Sequence, residues 1–104
     1  MGIRSENIYE VPQKKYAAFY DASFVVGDSP VTHDINTVLT RNSFSGYIHN
    51  YGAGALLYQI SQDGTTFGNS VLLPPTTKDV LDGFDIDSLK ITHSADTSYS
   101  IRVK

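Results

Sequence analysis

The 104-residue sequence predicts an all-β protein: a single antiparallel β-sandwich, jelly-roll-like or immunoglobulin-like, of about seven or eight short strands preceded by an extended N-terminal arm. Three observations carry this prediction. Apolar and polar residues alternate with a period of two along most of the chain. Gly, Pro, Asn and Asp interrupt that alternation about every ten residues. Charged residues make up only 18% of the chain, against about 25% in an average soluble domain. Ser and Thr supply the missing polarity, as in many strand-rich proteins.

Residues 1–15 are polar, carry Pro12, Lys14 and Lys15, and hold Ile3, Ile8, Tyr9 and Val11 without a sustained period. They read as an arm, and residues 16–104 as the sandwich domain. The first strand is predicted over Tyr16 to Val26, with Ala18, Tyr20, Ala22, Phe24 and Val26 on one face. Gly27-Asp28-Ser29-Pro30 breaks it. A second strand is expected from Val31 to Thr40, with Val31, Ile35 and Leu39 in phase. The third runs from Phe44 to Asn50, with Phe44 and Ile48 on one side and Tyr47 on the other. Asn50 to Gly54 forms a loop. The fourth strand, Ala55 to Ser61, aligns Leu56, Tyr58 and Ile60. Asp63-Gly64 is a hairpin-turn signal.

Thr65 to Asn69 reads as a short strand or loop, and Ser70 to Leu73 as a strand stopped by Pro74-Pro75. Thr76 to Asp82 is the one predicted helical turn, capped by Thr76 or Thr77 and closed by Gly83. Leu89, Ile91 and His93 mark the next strand. Tyr99, Ile101 and Val103 mark the last, after a turn at Ser94-Ala95-Asp96-Thr97.

Composition narrows the function. Eight Lys and Arg against eleven Asp and Glu give a net charge of −3, the wrong sign for a protein that grips nucleic acid. There is no Cys, hence no disulfide, thiolate metal site or Cys nucleophile. Apolar runs such as Gly54 to Tyr58 are far shorter than the roughly 20 residues that span a bilayer. The first residues lack the apolar core of a secretory signal, and Glu6 stands where a myristoylation motif needs Ser or Thr.

No catalytic constellation stands out, so a non-enzyme without cofactors is expected. His33, His49 and His93 fall on separate predicted strands and form no metal-hydrolase motif. Asp79, Asp82, Asp85 and Asp87 form the densest charged group, but their spacing is not that of a calcium loop. Gly52-Ala53-Gly54 lacks the Lys and following helix of a phosphate cradle. Tyr47, Tyr51 and Tyr58 cluster around the glycine loop, where exposed rings suit stacking on a sugar and half-buried ones suit packing. Tyr47 and Tyr51, together with Ile3, Ile8, Tyr9 and Val11 of the arm, are the candidate interaction residues. The arm gains little by folding alone, so it is expected either to add to a sheet edge of a neighbouring copy or to form a disordered terminus.

One stretch carries a family resemblance. Asn50-x-Gly52-x-Gly54-x-Leu56-x-Tyr58-x-Ile60-Ser61-x-Asp63-Gly64 is followed by Leu72-Leu73-Pro74, then by Leu81-x-Gly83-x-Asp85-Ile86-x-Ser88-Leu89-x-Ile91, then by Tyr99-x-Ile101. This resembles the small β-sandwich structural proteins of tailed bacteriophages. Pro75 stands where those sequences place a turn glycine, and residues 1–49 share nothing with them. The resemblance implies a virion component: a head decoration or minor capsid protein, a head fibre, or a tail element. It implies partners among copies of itself and other virion proteins, as a homo-oligomer, with no direct contact to nucleic acid or membrane. The alternative is a carbohydrate- or receptor-binding module of a tail or baseplate.

Overall fold

The computed structural model describes residues 17–104. The predicted arm, with Ile3, Ile8, Tyr9 and Val11, lies outside the described residues. Among the described residues eight strands form, in the order β1 (Ala18–Phe24), β2 (Val31–Asp34), β3 (Gly46–Asn50), β4 (Leu56–Ser61), β5 (Val71–Leu73), β6 (Thr77–Val80), β7 (Ser88–His93) and β8 (Thr97–Val103). One short helix, α1 (Ile35–Leu39), follows β2.

The strands make two four-stranded antiparallel sheets, ordered β1-β8-β3-β6 and β2-β7-β4-β5. The pairs β1·β8, β2·β7, β3·β6 and β4·β5 are those of one long hairpin wound into a double layer, which is the jelly-roll arrangement. Of the two sandwich topologies expected, this is the first.

Strand alternation explains the layers. Along β8 every second residue, Thr97, Tyr99, Ile101 and Val103, is buried, and Ser98, Ser100 and Arg102 face outward. β3 does the same with Ile48 against Tyr47 and His49. Ile48, Leu56, Leu73, Ile86, Leu89, Ile91, Tyr99, Ile101 and Val103 form the core between the sheets, with Ala18 and Phe24 at the β1 margin. Tyr58 of β4 reaches across this core, and its hydroxyl donates to Asp79 Oδ2 of β6 at 2.8 Å. Tyr58→Phe leaves that half-buried acceptor without its donor. It is expected to lower stability by about 1–2 kcal/mol in urea titrations.

Three sequence expectations are corrected. The strand predicted from Val31 to Thr40 ends at Asp34, because Asp34 caps a helical turn. Its Oδ1 accepts from the Thr37 N–H at 3.2 Å and its Oδ2 from the Thr37 hydroxyl at 2.7 Å. The helical turn predicted at Thr76 to Asp82 is strand β6. Thr76 takes a left-handed φ of 57°, which turns the chain after Pro75 and lays Thr77–Val80 along the free side of β3. Thr65 to Asn69, read as a short strand or loop, is a loop with one bridge between Phe67 and Ser61. Phe44 precedes β3 and is 58% exposed, and Val26 lies in a turn, so neither shares the inner face assigned to it.

Candidate functional site

Among the described residues, the outward side chains of the β1-β8-β3-β6 sheet form the broad face that carries the predicted site residues Tyr47 and Tyr51. Register places Phe19, Arg102, Tyr47 and Val80 in one row across it, and Asp21, Ser100, His49 and Lys78 in the next. Tyr47, His49 and Tyr51 share the face because their spacing of two matches the strand pleat. The His49 and Tyr51 rings lie 5.8 Å apart. The Lys78 ammonium sits 4.7 Å from the Tyr47 ring centre, and the Arg102 guanidinium 5.2 Å from that of Phe19. Arg102 also pairs with Asp21 at 2.8 Å, which fixes its planar head against the sheet and holds its pKa above the usual arginine value. At one corner, Ser45, Tyr47, Lys78, Val80, Asp82 and Lys104 line an open depression of about 220 Å³. Asp82 accepts from the Ser45 hydroxyl at 2.8 Å and the Gly46 N–H at 3.1 Å. Those two donors hold its carboxyl below the usual carboxylate range.

The three histidines do not converge. His33 turns inward, where its Nε2 lies 2.7 Å from the Tyr99 hydroxyl and its ring 4.5 Å from that of Tyr20. Burial lowers its pKa, and burial pushes the Tyr99 hydroxyl up to about 12. His93 stacks on Phe24 at 3.9 Å, and its ring nitrogens face the carbonyls of Ala95 and Asp28. His49 lies on the outer face.

Depressed His33 has a consequence for stability. A neutral ring is favoured in the fold, so below the ordinary value of 6.5 the unfolded chain binds a proton that the folded chain refuses. Stability therefore falls as pH drops through 6.5 and levels off once the folded ring is charged. Asp63 and Asp82, held low by hydrogen bonds, lose their contribution only at more acidic pH, below 3.8. Melting curves between pH 7.5 and 5 are expected to show the His33 loss, and His33→Gln to flatten it. An unchanged slope in that variant contradicts the assignment.

The acidic group disperses. Asp79 binds Tyr58, Asp82 binds Ser45 and Gly46, Asp85 accepts from Asn42 Nδ2 at 2.9 Å, and Asp87 accepts from the Ser88 hydroxyl at 2.7 Å. Among the described residues no three His, Cys, Asp or Glu side chains gather as metal ligands. No helix among them is long and apolar enough to cross a membrane.

Sequence reasoning treated Asn50 as a turn residue and missed its weight. Asn50 is fully buried. Its Nδ2 donates to the carbonyls of Gly54, Leu73 and Pro74 at 2.8, 3.1 and 3.3 Å. Its Oδ1 accepts from the Gly52 N–H at 3.1 Å and the Thr97 hydroxyl at 2.7 Å. One side chain thus ties the 50–55 loop to the end of β5 and the start of β8. The two glycines of the motif let this loop approach. A Cβ on Gly52 would meet Ser98 N and Thr97 Oγ1, and one on Gly54 would lie 2.6 Å from Asp96 O.

Comparison of the chain with protein-family models, curated proteins and solved structures returns no match.

Proposed function

We propose that this chain is a non-enzymatic structural protein of a tailed-bacteriophage virion, a capsid-associated decoration or minor capsid component. In this reading it assembles through its sheet edges and N-terminal segment, with copies of itself and other virion proteins as partners, and needs no cofactor. The observation that carries the reading is the jelly-roll pairing, built by the residues of the phage-like motif. Asn50, Gly52 and Gly54 form the loop tie, and Leu56, Leu73, Ile86, Leu89, Ile91, Tyr99 and Ile101 fill the core. Double-sheet jelly rolls recur in viral capsid and lectin domains. That is an argument from fold, and it gains weight only with the motif.

The edges support assembly. β2, β5 and β6 are three or four residues long, and Pro30, Pro74-Pro75 and Lys78-Asp79 guard them. Among the described residues β1 is a seven-residue edge, with Phe19 59% exposed. A long edge presents a row of unpaired N–H and C=O groups that template pairing with another chain. Purified chain mixed with tailed particles lacking it is expected to co-sediment with them at a saturating stoichiometry. Failure to bind heads or tails at any concentration contradicts the reading.

A second reading, a carbohydrate- or receptor-binding module of a tail, is favoured by the alignment of Tyr47, His49 and Tyr51 on one outer face. A glycan array separates the two. Signal lost in Tyr47→Ala and Tyr51→Ala supports the module, and a blank array removes it.

A further inference from the structure

We infer that the end of the sandwich bearing Phe44 and Phe84 is the seat of residues 1–16 delivered by a second copy of the chain. The inference rests on the assembly reading and names the surface that reading leaves open.

Phe44 and Phe84 are 58% and 48% exposed, and both lie at the end of the sandwich where β3 begins and β8 finishes. Hydrogen bonds lock their segments together. The Gly83 N–H donates to Phe44 O at 2.9 Å, and Ser43 and Ile86 exchange two backbone bonds of 2.8 Å. The patch is therefore part of the frame, so little entropy is lost when something covers it. Arg41 lies 5.4 Å from the centre of the Phe44 ring. Asp82 and Asp85 flank Phe84 in sequence, and Asp34 and Asp63 are exposed at the same end of the other sheet, so four carboxylates stand there against Arg41 and Lys104.

The occupant follows from charge and from where the described chain starts. Residues 17–104 carry nine Asp against five Lys and Arg, whereas residues 1–16 carry Arg4, Lys14 and Lys15 against Glu6 and Glu10. The segment also brings Ile3, Ile8, Tyr9 and Val11, apolar groups of the kind that cover exposed phenyl rings. It joins the sandwich at this same end. The Ala17 N–H donates to Val103 O at 2.9 Å, and Lys104 O accepts from the Phe44 N–H at 3.3 Å. The entry point is thus two strand spacings, about 10 Å, from Phe44. Sixteen extended residues reach about 50 Å, enough to cross to a neighbour.

The test mixes two preparations of the full chain, one with 13C-labelled methyl groups and one unlabelled, with Phe44→Ser/Phe84→Ser as the variant. Sedimentation equilibrium is run on the same samples. Between-copy NOEs from the Ile3, Ile8 and Val11 methyls to Phe44 and Phe84 are expected. In the variant those contacts should vanish and the dimer dissociation constant should rise at least tenfold, with the melting transition still cooperative. NOEs found only within one copy overturn the exchange. Self-association that persists unchanged in the variant overturns the seat and leaves the assembly reading standing. A strict monomer whose segment methyls keep random-coil shifts overturns both.

Discussion

Replacing Asn50 with aspartate is expected to destabilise the protein by about 3–5 kcal/mol, although the two side chains have nearly the same volume. The Asn50 amide gives its protons to three backbone carbonyls, those of Gly54, Leu73 and Pro74. An aspartate oxygen in that place turns every one of those contacts from donor–acceptor into acceptor–acceptor, in an interior where water cannot compensate. The Gly52 and Thr97 donors on the other oxygen can remain satisfied, so the loss isolates the amide protons. For a domain of this size the drop in melting temperature is expected to exceed about 12 °C. Asn50→Leu should be comparably harmful, since it orphans the carbonyls and both donors at once. Chemical denaturation measures both. An Asn50→Asp variant within about 1 kcal/mol of the parent removes the buried tie from the account.

Gly46→Ala is expected to cost about 3–4 kcal/mol, and Gly27→Ala only about 1. Both glycines have positive φ, 146° and 97°. Around Gly27 nothing lies within 4 Å of an added Cβ, so only the backbone strain is felt. At Gly46 the added Cβ would strike the Arg102 carbonyl oxygen and lie 2.7 Å from Val103 Cα. Both are backbone atoms of the central strand β8, and they cannot yield without breaking the β3·β8 ladder. The difference between the two variants therefore measures the close approach of two strands. Equal effects would mean that strain alone matters at Gly46.

These residues also show how far the sequence could be read. Tyr99, Ile101 and Val103 betray β8 because period two has no helical counterpart over seven residues. Val31, Ile35 and Leu39 misled for the opposite reason. A spacing of four satisfies both a strand face and a helix face, and only the reach of Asp34 to Thr37 decides between them. Thr76 to Val80 carried helix-cap signals, but pairing with the open side of β3 outweighed local preference. Of the candidate face, the common side of Tyr47 and Tyr51 was legible from their even spacing. Phe19, Lys78 and Arg102 were not, because they come from three other strands whose register no local pattern encodes. Asn50 was invisible as a tie because a buried Asn with distant partners looks in sequence like any loop asparagine.

A cryo-EM map of purified tailed particles, made with and without this chain, tests the assembly role most directly. The account predicts repeated eight-stranded density bound to the coat or tail of the first particles and missing from the second. Matching maps, with no such density on either, would contradict it.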